Sequence, residues 1–439
     1  MSSPIPLPTL VRERFPSGLT ALVAERRGVP LAAVRVVLRG GASLDPRGRA
    51  GLAHLVALVA RRGTRRRTGP RIDEAVESIG AELGSGVDED ASYFGLSAPA
   101  EALDRCLDVL AEIVAEPAFP PAELRRLQRR EAASLAHDLD EPALVADRAM
   151  LSAAYGRHPY AHPPEGRVRD LRAIRRPDVT GFHARHYRPD QVIAIVVGAV
   201  RAEVALARLR RRFGRWRAAP SKVAALPPTE PVRRAVVVVD KPDVTQSQVR
   251  IASPGFPRKS PDYFPGVVAS AVLGGGFTSR LMEAIRVNRG LSYGVRSRFA
   301  PSGAGGLFLV SSFTKTETTA ELVQVALDEI ARFREEGPTA EELERMQAYL
   351  CGLYPLSLET HEQLAEKLTD LELYGIPEEE IVEFRDRIRA VTREECREVA
   401  QRYFPGDRGV VVAVGPARTI ARSLEKFGKV TVVPARRVL

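Results

Sequence analysis

AIRRPDVTGFHARHYRPDQVIAIVVGAV, residues 173–200, and AVTREECREVAQRYFPGDRGVVVAVGPA, residues 390–417, decide how the whole chain is read. Each runs through a stretch with helical periodicity, an aromatic-x-Pro step, a β-branched run and then Val-Gly. The two copies stand about 216 residues apart in a chain of 439, close to half its length. A repeat of that period is a duplicated α+β domain rather than a short solenoid unit. The stretch WRAAPSKVAALPPTEP, rich in Ala and Pro and poor in periodicity, lies between the copies and marks a linker. The expected organisation is therefore a first domain over 1–215, a linker over 216–232 and a second domain over 233–439.

Working outward, Leu19 to Glu25 and Pro30 to Ala42 alternate as strands joined at Arg27-Gly28. Helical patterns follow over 51–60, 71–80 and 100–115, and again around 177–187, with a strand over 192–200. The second half opens on a β-branched strand, AVVVVDKP. Apolar residues at 44% and charged residues at 27% suit a globular protein with a sizeable core. The net charge of +10 is carried mostly by arginines interleaved with acids along the chain. Basic clusters at Arg61–Arg71, Arg125–Arg130 and Arg208–Arg217 lack interleaved aromatics or a nucleic-acid-binding module, so no nucleic-acid partner is expected. Cys106, Cys351 and Cys396 are odd in number and far apart, which argues against a disulfide framework and a thiolate zinc site. The longest apolar runs, such as VIAIVVGAV, are about half a bilayer span, and the N-terminus lacks a signal-like apolar segment. The expectation is a cytoplasmic chain with no membrane partner.

GLAHLVALVARRGT, residues 51–64, places one histidine in an apolar helical run. A His-x-x-Glu-His pattern would set two imidazoles at i and i+4 on one zinc, with the glutamate taking a proton from the bound water. Here the five positions read His54, Leu55, Val56, Ala57, Leu58, so the base position is Ala57 and the second ligand position Leu58. His54 reads as a histidine packed at a helix end, and Leu58 as core, contributing about 1.5–3 kcal/mol by burial. His183 and His186 share a helix face without a third ligand in view, and Pro159 keeps His158 and His162 from forming an i, i+4 helical pair.

In the second half, VLGGGFTSRLMEAIRVNRGLSYGVRSRF begins at Val272. Gly274, Gly275 and Gly276 read as a loop entering a helix, with Ser279 placed to cap it. The missing lysine excludes a Walker A loop. GLSYG, Gly290 to Gly294, fits the Gly-x-Ser-x-Gly spelling, but Ser292 follows a helix and opens a strand, the reverse of a nucleophile elbow.

The segment GLAH....V.RRGT resembles the metal-binding segment of the M16 metallopeptidases, the insulinase, pitrilysin and mitochondrial processing peptidase family. The resemblance extends over essentially the whole chain. It implies two duplicated domains of the LuxS/mitochondrial-processing-peptidase-like metallohydrolase type, each a β-sheet with helices packed on one face. In the family the third zinc ligand is a glutamate roughly 76 residues beyond the second histidine, a register that falls on Ser134; the nearest glutamate, Glu131, stands about one helical turn away, the place a slipped register would reach. The resemblance thus makes His54, Ala57, Leu58 and Ser134 vestigial positions and implies no zinc in this chain. The family also carries an Arg and a Tyr separated by six residues after a Gly-rich loop, matched by Arg286 and Tyr293 in RVNRGLSY, which hold the substrate carbonyl and its oxyanion. The implied function is a subunit inactive alone that pairs with a zinc-bearing M16 homologue, helps bind peptide through Gly274–Gly276 and a sheet edge, and supplies Arg286 and Tyr293 to hydrolysis. The alternative is a purely structural M16 homologue.

Overall fold

The computed structural model describes residues 7–218, 225–230 and 232–438. Within the expected linker, residues 219–224 and 231 lie outside the described residues. The chain forms two compact units. The first takes the described residues of Met1–Ala133, Pro163–Ala224 and Tyr354–Val382; the second takes Ser134–His162, Ala225–Leu353 and Glu383–Leu439.

The first unit is built on a six-stranded mixed sheet of β1 (Leu10–Arg14), β2 (Thr20–Glu25), β3 (Leu31–Arg39), β4 (Glu82–Val87), β5 (Ala91–Pro99) and β6 (Val192–Gly198). Their order is β1-β2-β6-β3-β5-β4. Only β2 and β6 run parallel. All seven residues of β6, VIAIVVG, are buried, as a continuous β-branched run requires when both faces of a strand are covered. On β3, alternation sends Val34, Val36 and Leu38 into the core. Arg35 and Arg39 point the other way and bond to the helix His361–Tyr374, Arg35 to Glu366 at 2.9 Å and Arg39 to the carbonyls of Leu373 and Glu372.

The second unit repeats the plan with β7 (Ala235–Asp240), β8 (Gln246–Pro254), β9 (Val295–Pro301), β10 (Gly306–Lys315), β11 (Val410–Gly415) and β12 (Val430–Pro434). The order β12-β7-β11-β8-β10-β9 superposes on the first, β11 standing where β6 stands. The two quoted sequence copies become helix Arg176–His186 with β6, and helix Arg393–Tyr403 with β11. The sheets differ at one edge, where antiparallel β1 is replaced by β12, parallel to β7. The helix Pro142–Tyr155 packs Val145, Ala146 and Ala149 against Ala252, Leu309, Val410 and Val412.

Two features extend the expectation from sequence. Each sheet carries one further helix on the face opposite its main helical layer. That helix comes from the other half of the sequence: Pro142–Tyr155 belongs to the second unit and His361–Tyr374 to the first. Periodicity identifies these helices but not the sheet that each one covers, so the compact units are not the contiguous spans 1–215 and 233–439. Among the described residues, no helix is long and apolar enough to cross a membrane.

Candidate functional site

The helix Leu52–Ala60 carries His54. Its N-cap is Gly51 at φ 94°, which has no side chain to accept the first amides. Asp45 does so instead, accepting the N–H groups of Gly51 at 2.7 Å and Ala53 at 2.8 Å. Burial pushes this carboxyl up to about 7, against the pull of those hydrogen bonds. A Cβ on residue 51 would stand 2.7 Å from the Glu165 carbonyl, so both the dihedral and the space demand glycine.

Within the helix Leu52, Ala53, Leu55, Val56, Ala57, Val59 and Ala60 are buried. His54 and Leu58, one turn apart, share the less buried face. The expectation that Leu58 had joined the core is corrected: it is partly exposed, and of the two altered motif positions only Ala57 is packed away. His54 has a partner that the register count missed. Glu131, on the helix Pro121–His137, places Oε2 3.2 Å from His54 Nε2, while its Oε1 accepts from Arg130 at 2.7 and 2.9 Å. The His54 hydrogen bond, with Arg130 in support and burial opposing, holds Glu131 below the usual carboxylate range. Ser134, the position reached by counting, is exposed and belongs to the second unit. Glutamate spacing along a helix is the signal that points to Glu131, which lies one turn before Ser134.

His54 and Glu131 are two donors; a catalytic zinc takes three protein ligands and a water. Ala57 and Leu58 provide none, and among the described residues no group of three or more His, Cys, Asp or Glu could hold a metal ion. The donor set does not fit zinc. Three other histidines have structural partners: His183 Nε2 meets the Val114 carbonyl at 2.8 Å, His158 Nε2 the Pro227 carbonyl at 2.8 Å, and His186 packs on Phe182.

The second unit holds a cleft of about 590 Å³ whose lining includes Gly274, Gly275, Gly276, Phe277, Tyr293 and Tyr349. Gly274 is not part of a loop but the last residue of the helix Tyr263–Gly274, and a Cβ there would meet Ser297 N at 2.7 Å. Its glycine allows helix and β9 to touch. A Cβ on Gly276 would make only ordinary contacts, Met346 at 3.6 Å and Tyr349 at 4.0 Å. Ser279 stands just before the next helix and its carbonyl accepts the Glu283 N–H at 3.0 Å, while its hydroxyl donates back to the Gly276 carbonyl at 2.6 Å.

Arg286 lies in a π-helical turn, Met282–Val287. That turn closes when the Gly290 N–H donates to the Arg286 carbonyl at 3.2 Å and the Leu291 N–H to the Ile285 carbonyl at 2.9 Å. The closure brings Tyr293 back over Arg286, with the guanidinium 4.6 Å from the Tyr293 ring and 5.6 Å from the Phe277 ring. Tyr293 is 77% exposed and Phe277 78%, unusual for large aromatics in a monomeric fold. Among the described residues Arg286 has no carboxylate partner, so its N–H groups remain available. Ser292, by contrast, closes on itself: its hydroxyl donates to the Gly294 carbonyl at 2.9 Å and accepts the Gly294 N–H.

The sequence and this architecture match a known family. The model of the insulinase family, peptidase M16, matches residues 21–166, and that of the peptidase M16 inactive domain matches residues 173–350. The chain belongs to the M16 family and is a homologue of its inactive domain. An uncharacterized zinc protease of Mycobacterium leprae is 27% identical, with 94% of each chain covered. The non-peptidase homolog YmxG of Helicobacter pylori is 26% identical over 76% of this chain and 78% of its own. The crystal structure of a peptidase M16 inactive domain from Pseudomonas fluorescens superposes with a TM-score of 0.88 at 25% identity, covering 93% of this chain and 98% of that one.

Proposed function

We propose that this chain is the zinc-free subunit of a two-chain M16 peptidase. It binds an extended peptide at the cleft of the second unit and presents Arg286 and Tyr293 to the scissile carbonyl, while a zinc-bearing homologue hydrolyses the bond. The observation that carries the reading is the stacking of Arg286 on Tyr293 at 4.6 Å, at the exposed rim of a cleft, in a chain whose His54 helix retains only one of its two histidine positions. A guanidinium and a phenol held side by side offer two donors to one oxygen. One such donor on a developing oxyanion is worth about 10²–10³ in rate.

The names of the relatives divide along the same line. The Mycobacterium leprae protein is called a zinc protease and the Helicobacter pylori protein a non-peptidase homolog. With Ala57 and Leu58 at the motif positions, this chain is read as a non-peptidase homologue that depends on a zinc-bearing partner for hydrolysis.

The test is to purify the chain with a zinc-bearing M16 homologue from the same genome and follow cleavage of an internally quenched peptide. The pair is expected to cleave and the isolated chain not to. Arg286→Ala should lower kcat by about 10²–10³, and Tyr293→Phe should lower it too. A pair that keeps full kcat with Arg286→Ala leaves this subunit the structural role alone.

A further inference from the structure

The register of the second sheet assembles a cationic surface in the cleft. Ser311 of β10 stands opposite Arg250 of β8 on one side and Arg296 of β9 on the other, so Arg250, Ser311 and Arg296 form one row across three strands. Arg298 follows Arg296 by two residues and projects from the same face. All three arginines line the cleft, and no carboxylate does. Arg250 is neutralised from behind by Asp147 at 2.5 Å. Arg296 and Arg298 are exposed, and among the described residues neither has an ion pair or a side-chain hydrogen bond. Exposed arginines elsewhere are of both kinds, Arg210 pairing with Glu13 and Arg387 with Glu383 while Arg14, Arg47 and Arg125 have no acid partner among the described residues; what sets Arg296 and Arg298 apart is that they share a cleft lined by no carboxylate. Like charges gathered on one sheet face destabilise the fold, so an unneutralised pair here points to a ligand that brings the opposite charge.

Two observations say what that ligand is. Arg296 and Arg298 repeat along β9 at about 6.6 Å, the spacing of same-side residues in an extended strand. β9 is also the terminal strand of its sheet, hydrogen-bonded on one side to β10. A second extended polypeptide can pair with such an edge and set alternate side chains over the arginines. A nucleic-acid strand could meet the charge but has no ladder to offer.

We infer that the cleft selects acidic peptides, with Asp or Glu at alternating positions of an extended segment held by Arg296 and Arg298. This rests on the peptide-binding reading of the same cleft and names its substrate class.

The experiment uses the full chain and fluorescence anisotropy. The probes are a short fluorescein-labelled peptide with glutamate at every other position, its glutamine twin, both C-terminally amidated, and a labelled oligothymidylate. The glutamate peptide should bind at least roughly tenfold tighter, a difference of about 1.4 kcal/mol. Arg296→Gln/Arg298→Gln should erase that difference. Salt near 1 M, where the screening length falls to about 3 Å, should shrink it too. Equal binding of both peptides, lost in Arg286→Ala/Tyr293→Ala, overturns the acidic selection and leaves the peptide reading standing. Binding of neither peptide removes both, and tighter binding of the oligothymidylate overturns the inference in favour of a nucleic acid. The two peptides on the unaltered chain decide the question even if the double variant fails to fold.

Discussion

Replacing Leu58 by histidine should supply the third zinc ligand that His54 and Glu131 lack. His54 Nε2 and Glu131 Oε2 stand 3.2 Å apart. Two ligands of a tetrahedral zinc, each about 2.0–2.1 Å from the metal, are separated by about 3.3 Å, so the pair is already spaced for the ion. Leu58 lies one turn beyond His54 on the same, partly exposed face. A histidine there brings the donors to three, the number catalytic zinc sites use. Because Leu58 is not fully buried, its loss should cost less than the about 1.5–3 kcal/mol of a fully buried leucine. Zinc at a hundredfold excess over its dissociation constant adds about 2.7 kcal/mol. At about 2–4 °C per kcal/mol for units of this size, zinc should raise the melting temperature of Leu58→His by about 5–10 °C. The assay is metal content after dialysis with a thermal melt in zinc and in chelator. One zinc per Leu58→His chain is expected, well below one for the unaltered chain, and none retained in Leu58→His/Glu131→Ala. Uptake that ignores Glu131, or stoichiometric zinc on the unaltered chain, would falsify the assignment of Glu131 as the third-ligand position.

Three further outcomes follow from the same structure. Gly51→Ala combines a left-handed dihedral with a 2.7 Å approach to the Glu165 carbonyl; it should cost at least about 1–2 kcal/mol, read as a lower urea midpoint with an unchanged slope. Burial lowers His183 and His186 to about 4, so the unfolded chain takes up their protons first; stability should fall as pH drops from about 6.5 towards 4 and level off below. The slope is at most about 1.4 kcal/mol per pH unit per histidine, and a His183→Gln/His186→Gln variant whose denaturation midpoint keeps the same pH profile refutes the attribution. Gly274→Ala should push the helix end away from Ser297 N and weaken peptide binding at the cleft, whereas Gly276→Ala, with no neighbour nearer than 3.6 Å, should leave it unchanged by anisotropy.

Much of the fold was legible because its strands and helices announce themselves locally. The β-branched run of β6 and its copy in β11 each require a strand covered on both faces, and the equivalence of the two sheets follows from that repeat. What stayed hidden depends on which distant segments meet. Nothing in the periodicity of Pro142–Tyr155 says that it covers β8 and β11 rather than the sheet formed by the strands that flank it in sequence. The count along the chain fell on Ser134, one turn past Glu131, because it assumes the family's loop lengths, whereas the pairing with His54 depends on where a helix face comes to rest. Arg286 and Tyr293 could be singled out by spacing, since one closed turn joins them. The row Arg250, Ser311, Arg296 could not, because it spans three strands and exists only once their register is known.

The exchange of helices also sets a schedule for synthesis. The strand β6 completes the first sheet at Gly198, but the helix that covers its second face begins at His361. At about 5–20 residues per second, the roughly 160 intervening residues take about 8–30 s to emerge. Throughout that interval the alternate face of β3 and β6 waits uncovered on the ribosome, while Pro142–Tyr155, already made, waits for the sheet it will cover. Neither unit can finish folding before the other has begun, and a nascent chain released between residues 198 and 361 would carry an apolar sheet face with nothing of its own to close it.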